Sequence, residues 1–161
     1  MILRTHLVIP DTQCKPNTPT KHLSWVGKYI VDYKPDVVVH LGDHWDMASL
    51  SSYSSKKELE GARYNEDIQA GNDGLDALME PLRKFNKRKR KHKEKQWRPR
   101  LVLLRGNHEE RILRYVGDHP GLESKFGYHE FNDDEWEVHD FLEPVLIDGI
   151  TYSHYFYNHR S

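Results

Sequence analysis

The chain has 161 residues, of which 37% are hydrophobic and 30% charged, with a mean hydropathy of -0.85 and a net charge of -1. That length supports a single domain over 1–161 with a real core, and no apolar run approaches the roughly 20 residues a membrane span needs. A lone cysteine, Cys14, excludes an internal disulfide; with no signal-peptide core at the N-terminus, a reducing, cytoplasmic setting is expected.

His6-Leu7-Val8-Ile9 reads as a first strand, closed by Pro10 and followed by Asp11-Thr12-Gln13. Thr18 before Pro19 predicts an N-cap and a helix over about 19–34, with Leu23, Val26, Ile30 and Tyr33 turned inward. Pro35 ends it. Asp36-Val37-Val38-Val39-His40-Leu41 is short, β-branched and mostly apolar, the pattern of a buried parallel strand. Gly42 lets the chain turn, which sets Asp43 and Asp46 just past the carboxyl end of that strand, the edge where open α/β sheets bind ligands.

Residues 47–60 are polar and serine-rich, a loop or short helix. Ile68, Leu75, Leu78, Met79, Leu82 and Phe85 fall at helical spacing, with Pro81 predicting a kink. Between Arg83 and Arg100 lie eleven Lys or Arg and one acid, so this run carries about +10 and the remainder about -11. It extends the helix past its apolar face, as a basic insertion over about 62–98 whose end projects into solvent. Lys87, Arg88, Lys89, Arg90 and Lys91 are its candidate nucleic-acid contacts, with Trp97 as a stacking surface; the alternative is a solvated helix end or an arm docked on the acidic body.

Leu101-Val102-Leu103-Leu104 predicts a third buried strand, running into Arg105-Gly106-Asn107-His108-Glu109-Glu110 and a helix with Ile112, Leu113 and Val116 inward. Residues 117–143 read as a short helical excursion. Val145-Leu146-Ile147, Asp148-Gly149 and Ile150-Thr151-Tyr152 form a β-hairpin signal with a tight turn, followed by His154.

Three strand ends thus carry Asp11/Gln13, Asp43/Asp46 and Asn107/His108, and a fourth carries His154. Oxygen donors mixed with imidazole suit Mn, Fe, Zn or Mg. Each residue also has a plainer use. Asn107 with Glu110 spells a helix capping box, Asp46 can cap a turn, and His154 can bond a backbone carbonyl. His40 and His44 read as structural, and Cys14 as a small packed residue.

Asp11-x-Gln13, Gly42-Asp43-x-x-Asp46 and Gly106-Asn107-His108-Glu109, in that order at strand ends, resemble the first three motifs of the calcineurin-like metallophosphoesterases. Leu104-Arg105-Gly106-Asn107-His108-Glu109 is close to the serine/threonine phosphatase branch. The resemblance implies an α/β fold, a four-layer α/β/β/α sandwich, with the basic helix protruding from it. It implies two divalent metal ions, manganese foremost, with Asp43 bridging, Asp11 and Gln13 on one ion and Asn107 and His154 on the other. His108 would protonate the leaving oxygen, oriented by Asp46. The substrate class would be phosphate mono- or diesters, cleaved as by a phosphatase, phosphodiesterase or nuclease. The other reading is a nucleic-acid-binding module on the same fold with impaired catalysis.

Three departures stand out. Gln13 replaces the usual histidine, Met47 stands where the phosphatase branch has an arginine, and the closing Gly-His-x-His motif is absent from these 161 residues. On those grounds the chain as given is expected to hold fewer than two tight metals.

Overall fold

A computed structural model describes residues 4–156. β1 (His6–Ile9), β2 (Val37–His40), β3 (Arg100–Leu104) and β4 (Glu137–His139) form one parallel sheet in the order β1-β2-β3-β4. Every residue of β2 is buried, because a central parallel strand is covered on both faces. One face is covered by α1 (Lys21–Tyr33) and α2 (Tyr64–Lys91), which pack on each other; Leu23, Ile30, Leu75, Leu78 and Met79 meet Ile9, Val38 and Leu103 there. On the other face Val37, Val39, Val102 and Leu104 meet Val145 and Ile147 of a hairpin, β5 (Val145–Ile147) and β6 (Ile150–Tyr152). Helices, sheet and hairpin therefore stack as α/β/β layers. The hairpin turns as its Asp-Gly pair predicts, with positive φ at both Asp148 and Gly149.

Several local expectations shift. α1 begins at Lys21, so Thr18 lies ahead of the helix and Thr20 holds the N-cap position without a side-chain bond. Tyr33 is exposed rather than inward, and Lys34 closes the helix in the left-handed region. The 62–98 segment puts the first five turns of α2 into the principal core, through Ile68, Leu75, Leu78, Met79 and Leu82. Only the turns beyond Leu82 stand clear of it. The chain then folds back: the Asn86 side chain accepts from the Trp97 amide (3.0 Å) and donates to its carbonyl (2.8 Å). Trp97 packs against the core, so it is not a free stacking platform. β4 lies inside the stretch expected to be a helical excursion; its three residues, Glu137-Val138-His139, carry too little periodicity to announce a strand.

The register aligns Ile9, His40 and Leu103 across the sheet. The loops after β1, β2 and β3 therefore leave from one edge, which is what brings the three motifs together.

Candidate active site

Two of those loops touch back to back. Gly42 has φ +101, and a Cβ there would lie 2.7 Å from the Gly106 amide nitrogen; a Cβ on Gly106 would collide with Asp43 Oδ1. Only glycine at both positions lets the loops close. The third loop is zipped on through backbone bonds, Gln13 N to Asp43 O (2.9 Å) and Cys14 N to His44 O (2.7 Å). Gln13, Asp43 and Met47 all have positive φ, local strain of the kind that persists where the surroundings enforce it.

Glu109 does much of that enforcing. It is buried, and its carboxylate accepts four amides: His44 (2.6 Å) and Trp45 (2.9 Å) on Oε1, Asp43 (3.1 Å) and Gly106 (2.8 Å) on Oε2. Burial and the neighbouring Asp43 charge push its pKa up, while the amides from Gly106 and Trp45 pull it down. No periodicity points to this role. The available signal is an acid immediately ahead of a predicted helix, directly after the Asn-His pair.

Behind the loops a second network holds two buried histidines. Gly42 N donates to His40 Nδ1 (3.1 Å), so His40 Nε2 carries the proton that goes to Thr12 Oγ1 (3.1 Å). Thr12 passes its own proton to His44 Nδ1 (2.6 Å), and His44 Nε2 donates to the Gly71 carbonyl (2.9 Å). Each donor finds one acceptor, so both rings are satisfied neutral. Burial drives both pKa values down, that of His44 to about 4. Cys14 packs beside His44, its thiol pushed up to about 11 by burial. α2 presses on this floor at Gly71 and Gly74, where a Cβ would strike Trp45 and Cys14 Sγ respectively.

In front of the loops the candidate residues converge. Asp43 Oδ1 accepts the His108 amide (2.9 Å), and its Oδ2 lies 3.6 Å from His154 Nε2 and 3.7 Å from His108 Nε2. His154 Nδ1 donates to the Leu41 carbonyl (2.8 Å), and its Nε2 lies 3.0 Å from Asn107 Oδ1. The plainer reading of His154 is therefore met, and its other nitrogen faces Asn107 Oδ1. Asn107 does not cap α3 (Glu110–Asp118), which starts with no side-chain cap; Glu110 instead accepts the Tyr128 hydroxyl (2.9 Å).

His108 Nδ1 donates to the Asp46 carbonyl (2.8 Å) and faces its Oδ1 at 3.1 Å. The bond to Asp46 raises the His108 pKa. Burial works to raise the Asp46 pKa too, but the His108 bond, Lys15 and Arg111 outweigh it and the carboxyl ends below its ordinary value. Asp46 is thus a partner of His108 and not merely a turn cap.

Asp11 stands exposed at the end of β1, and Gln13 is partly buried. Among the described residues neither side chain hydrogen-bonds to the cluster, and no three His, Cys, Asp or Glu side chains gather closely enough to hold a metal ion. The fit for a cation rests on the donor set. In the neutral imidazole with Nδ1 protonated, His154 Nε2 presents a lone pair toward Asn107 Oδ1 and Asp43 Oδ2, three acceptors with no proton among them. A ligating histidine has the same arrangement, its second nitrogen donating to a backbone carbonyl. These residues fit a divalent ion.

The basic turns of α2 lie at the other end of the sheet, beside the amino end of β3. Lys87, Arg88, Arg90 and Lys91 lie at the surface. Lys89 pairs with Glu94, and Arg88 and Lys89 lie over the Phe85 ring. Lys87, Arg90 and Arg98 line a groove of about 460 Å³ floored by Leu82 and Leu101.

Among the described residues no helix is long and apolar enough to cross a membrane. Comparison with curated proteins gives no match, and neither does comparison with solved structures. The family model for calcineurin-like phosphoesterases matches residues 5–161. With its three motifs at one sheet edge, the chain belongs to the calcineurin-like phosphoesterase family.

Proposed function

We propose that this chain hydrolyses phosphate mono- or diesters at a dinuclear metal centre whose second ion is held weakly. Asp43 bridges, Asp11 and Gln13 hold one ion, and Asn107 and His154 hold the other, with manganese the expected metal and iron, zinc or magnesium the alternatives. The observation that carries this reading is the approach of His154 Nε2 to both Asn107 Oδ1 (3.0 Å) and Asp43 Oδ2 (3.6 Å). Bound there, divalent metal supplies Lewis-acid stabilisation of phosphoryl oxygens and a lowered pKa for the attacking water. His108 holds its reacting nitrogen, Nε2, on the Asp43 side while Asp46 fixes Nδ1, so that His108 gives a proton to the leaving oxygen. Asp46 raises the basicity of that imidazole and fixes its orientation. The buried lone thiol of Cys14 supports a cytoplasmic setting.

The test is hydrolysis of generic aryl mono- and diesters with Mn, Mg, Zn or Fe against a chelated control. Metal-dependent turnover of one class is expected; equal background with and without metal overturns the reading.

The exposed basic turns favour a second reading, nucleic-acid binding on this fold, with DNA or RNA as substrate or as bound partner. Lys87, Arg88, Lys89, Arg90 and Lys91 would neutralise phosphates along the backbone and release counterions. Because the groove lies at the opposite sheet edge from the cluster, it would anchor a strand rather than present the scissile bond.

A further inference from the structure

α3 carries two arginines one turn apart, Arg111 and Arg114, and they meet different surroundings. Arg111 Nη1 donates to the carbonyls of Asp46 (2.8 Å) and Met47 (3.3 Å), which seats its guanidinium on the rim of the cluster. Its Nη2 lies 3.1 Å from His108 Nε2, on the nitrogen that would hand a proton to the leaving oxygen. The Arg111 side chain therefore marks the leaving-group side of the site. Arg114 is exposed and makes one long bond, 3.3 Å to the Asn107 carbonyl.

Both arginines line a cavity of about 360 Å³ between α3 and the turn at residues 48–52. Ser49, Ser51 and Ser52 form its other wall, and Asp118 is the one acid among the described lining residues. The turn is held in place by buried Asp67, whose Oδ2 accepts the Ser49 amide (2.8 Å). The Ser49 hydroxyl is itself buried and, among the described residues, has no hydrogen-bond partner. A buried polar group left unpaired calls for an explanation. Two guanidiniums on one cavity, with the buried Ser49 hydroxyl in the wall behind it, are groups that recognise phosphate oxygens.

We propose that this cavity binds a second phosphate, carried by the leaving group, so that the favoured substrate is a phosphate ester whose leaving alcohol bears its own phosphate. The proposal rests on the phosphoesterase reading above. In that reaction water forms the new P–O bond as the P–O bond to the leaving alcohol breaks. On binding, Arg111 moves from His108 Nε2 to the leaving group's phosphate, with Arg114, and Ser49 once its hydroxyl rotates out, completing its contacts. The freed Nε2 takes a proton from solvent and gives it to the departing oxygen, and the attacking water's displaced proton returns to solvent. Successive phosphates of a nucleic-acid strand supply this chemistry, and so do small bisphosphates.

Calorimetric binding by the whole chain in chelator, where no turnover occurs, tests it with two pairs of probes. Thymidine bisphosphate is compared with thymidine monophosphate, and fructose bisphosphate with fructose monophosphate. The second phosphate is expected to tighten binding roughly tenfold or more in at least one pair. Arg114→Gln should cut that gain to within about threefold, and Ser49→Ala should reduce it partly. The larger gain identifies the source, strand or small bisphosphate. Equal affinities within both pairs, or a gain that Arg114→Gln leaves unchanged, overturns the proposal. Failure of the phosphoesterase reading shows separately, as loss of metal-dependent turnover on aryl esters that carry no second phosphate.

Discussion

The carboxyl edge of the sheet and the basic end of α2 are both rich in polar side chains, yet they are built on opposite plans. At the carboxyl edge Asp43, Asp46, Glu109 and two histidines are buried, and nearly every polar atom has a directed partner from another loop. At the basic end the charges point to solvent, and ion pairs there, such as Lys89 with Glu94, Arg83 with Asp76 and Lys84 with Glu80, are partly or fully exposed. In a low-dielectric setting each group's position and protonation depend on its neighbours; in water the same charges act as a diffuse field. A single substitution should therefore be large at one end and small at the other.

The largest effect is expected for Asp43→Asn. Its two oxygens serve the His108 amide and the space shared with His154 and Asn107, and an amide brings neither the charge nor the second acceptor. Metal-dependent turnover should fall about 10³-fold or more, with an unchanged circular dichroism spectrum. Full turnover in this variant would end the bridging role.

His108→Ala should be next, and selective. Esters with poor leaving groups should slow roughly 10²-fold or more, activated aryl esters far less. Equal losses on both would remove His108 as the proton donor.

Glu109→Gln keeps size but loses acceptors for some of the four amides. Urea denaturation should show about 2 kcal/mol lost, together with weakened metal-dependent turnover, because the loops that carry Asp43 and Asn107 are no longer pinned to each other. A variant as stable as the parent would show that the loops are held elsewhere.

Replacing Lys87, Arg88, Lys89, Arg90 and Lys91 by Gln should leave stability within about 0.5 kcal/mol. If a strand lies on these residues, the slope of log affinity against log salt flattens by about 0.7–0.9 for each phosphate that is no longer neutralised. An unchanged slope would make this end a solvated helix terminus.

The smallest effect is expected at the surface pair of Arg100 with Glu137, which ties β3 to β4 (2.7 and 2.8 Å). The Arg100 bonds bring the Glu137 pKa from an ordinary 4.5 to about 2. A depressed folded pKa gives stability that is present above the ordinary value and is lost as pH falls through the folded one. The pair's contribution should therefore disappear between about pH 4.5 and 2. Solvent screening keeps it to about 0.5 kcal/mol, so Glu137→Gln should shift thermal unfolding only slightly at neutral pH and not at all near pH 2.

Much of this was legible in residue order. The Val37–Val39 and Leu101–Leu104 runs identify buried strands because full burial leaves no polar positions to alternate. The motifs locate the site because ligand-bearing loops follow the carboxyl ends of parallel strands, and the Asp148-Gly149 pair sets its own turn through the φ values it tolerates. Other features had no local signature. β4 is three residues long and is recognisable only because β3 offers it a ladder. The capping pattern at Asn107 and Glu110 is lost because Asn107 is drawn toward His154, 47 residues away, while Glu110 takes the Tyr128 hydroxyl. Glu109 gains its role from amides 64 to 66 residues distant. Arg111 comes to His108 through the pitch of α3 and the fold of the 46–47 loop. Periodicity and turn chemistry act over a few residues and so are written in the sequence. Which polar side chain satisfies which buried atom is decided by long-range packing, and only the tertiary structure settles it.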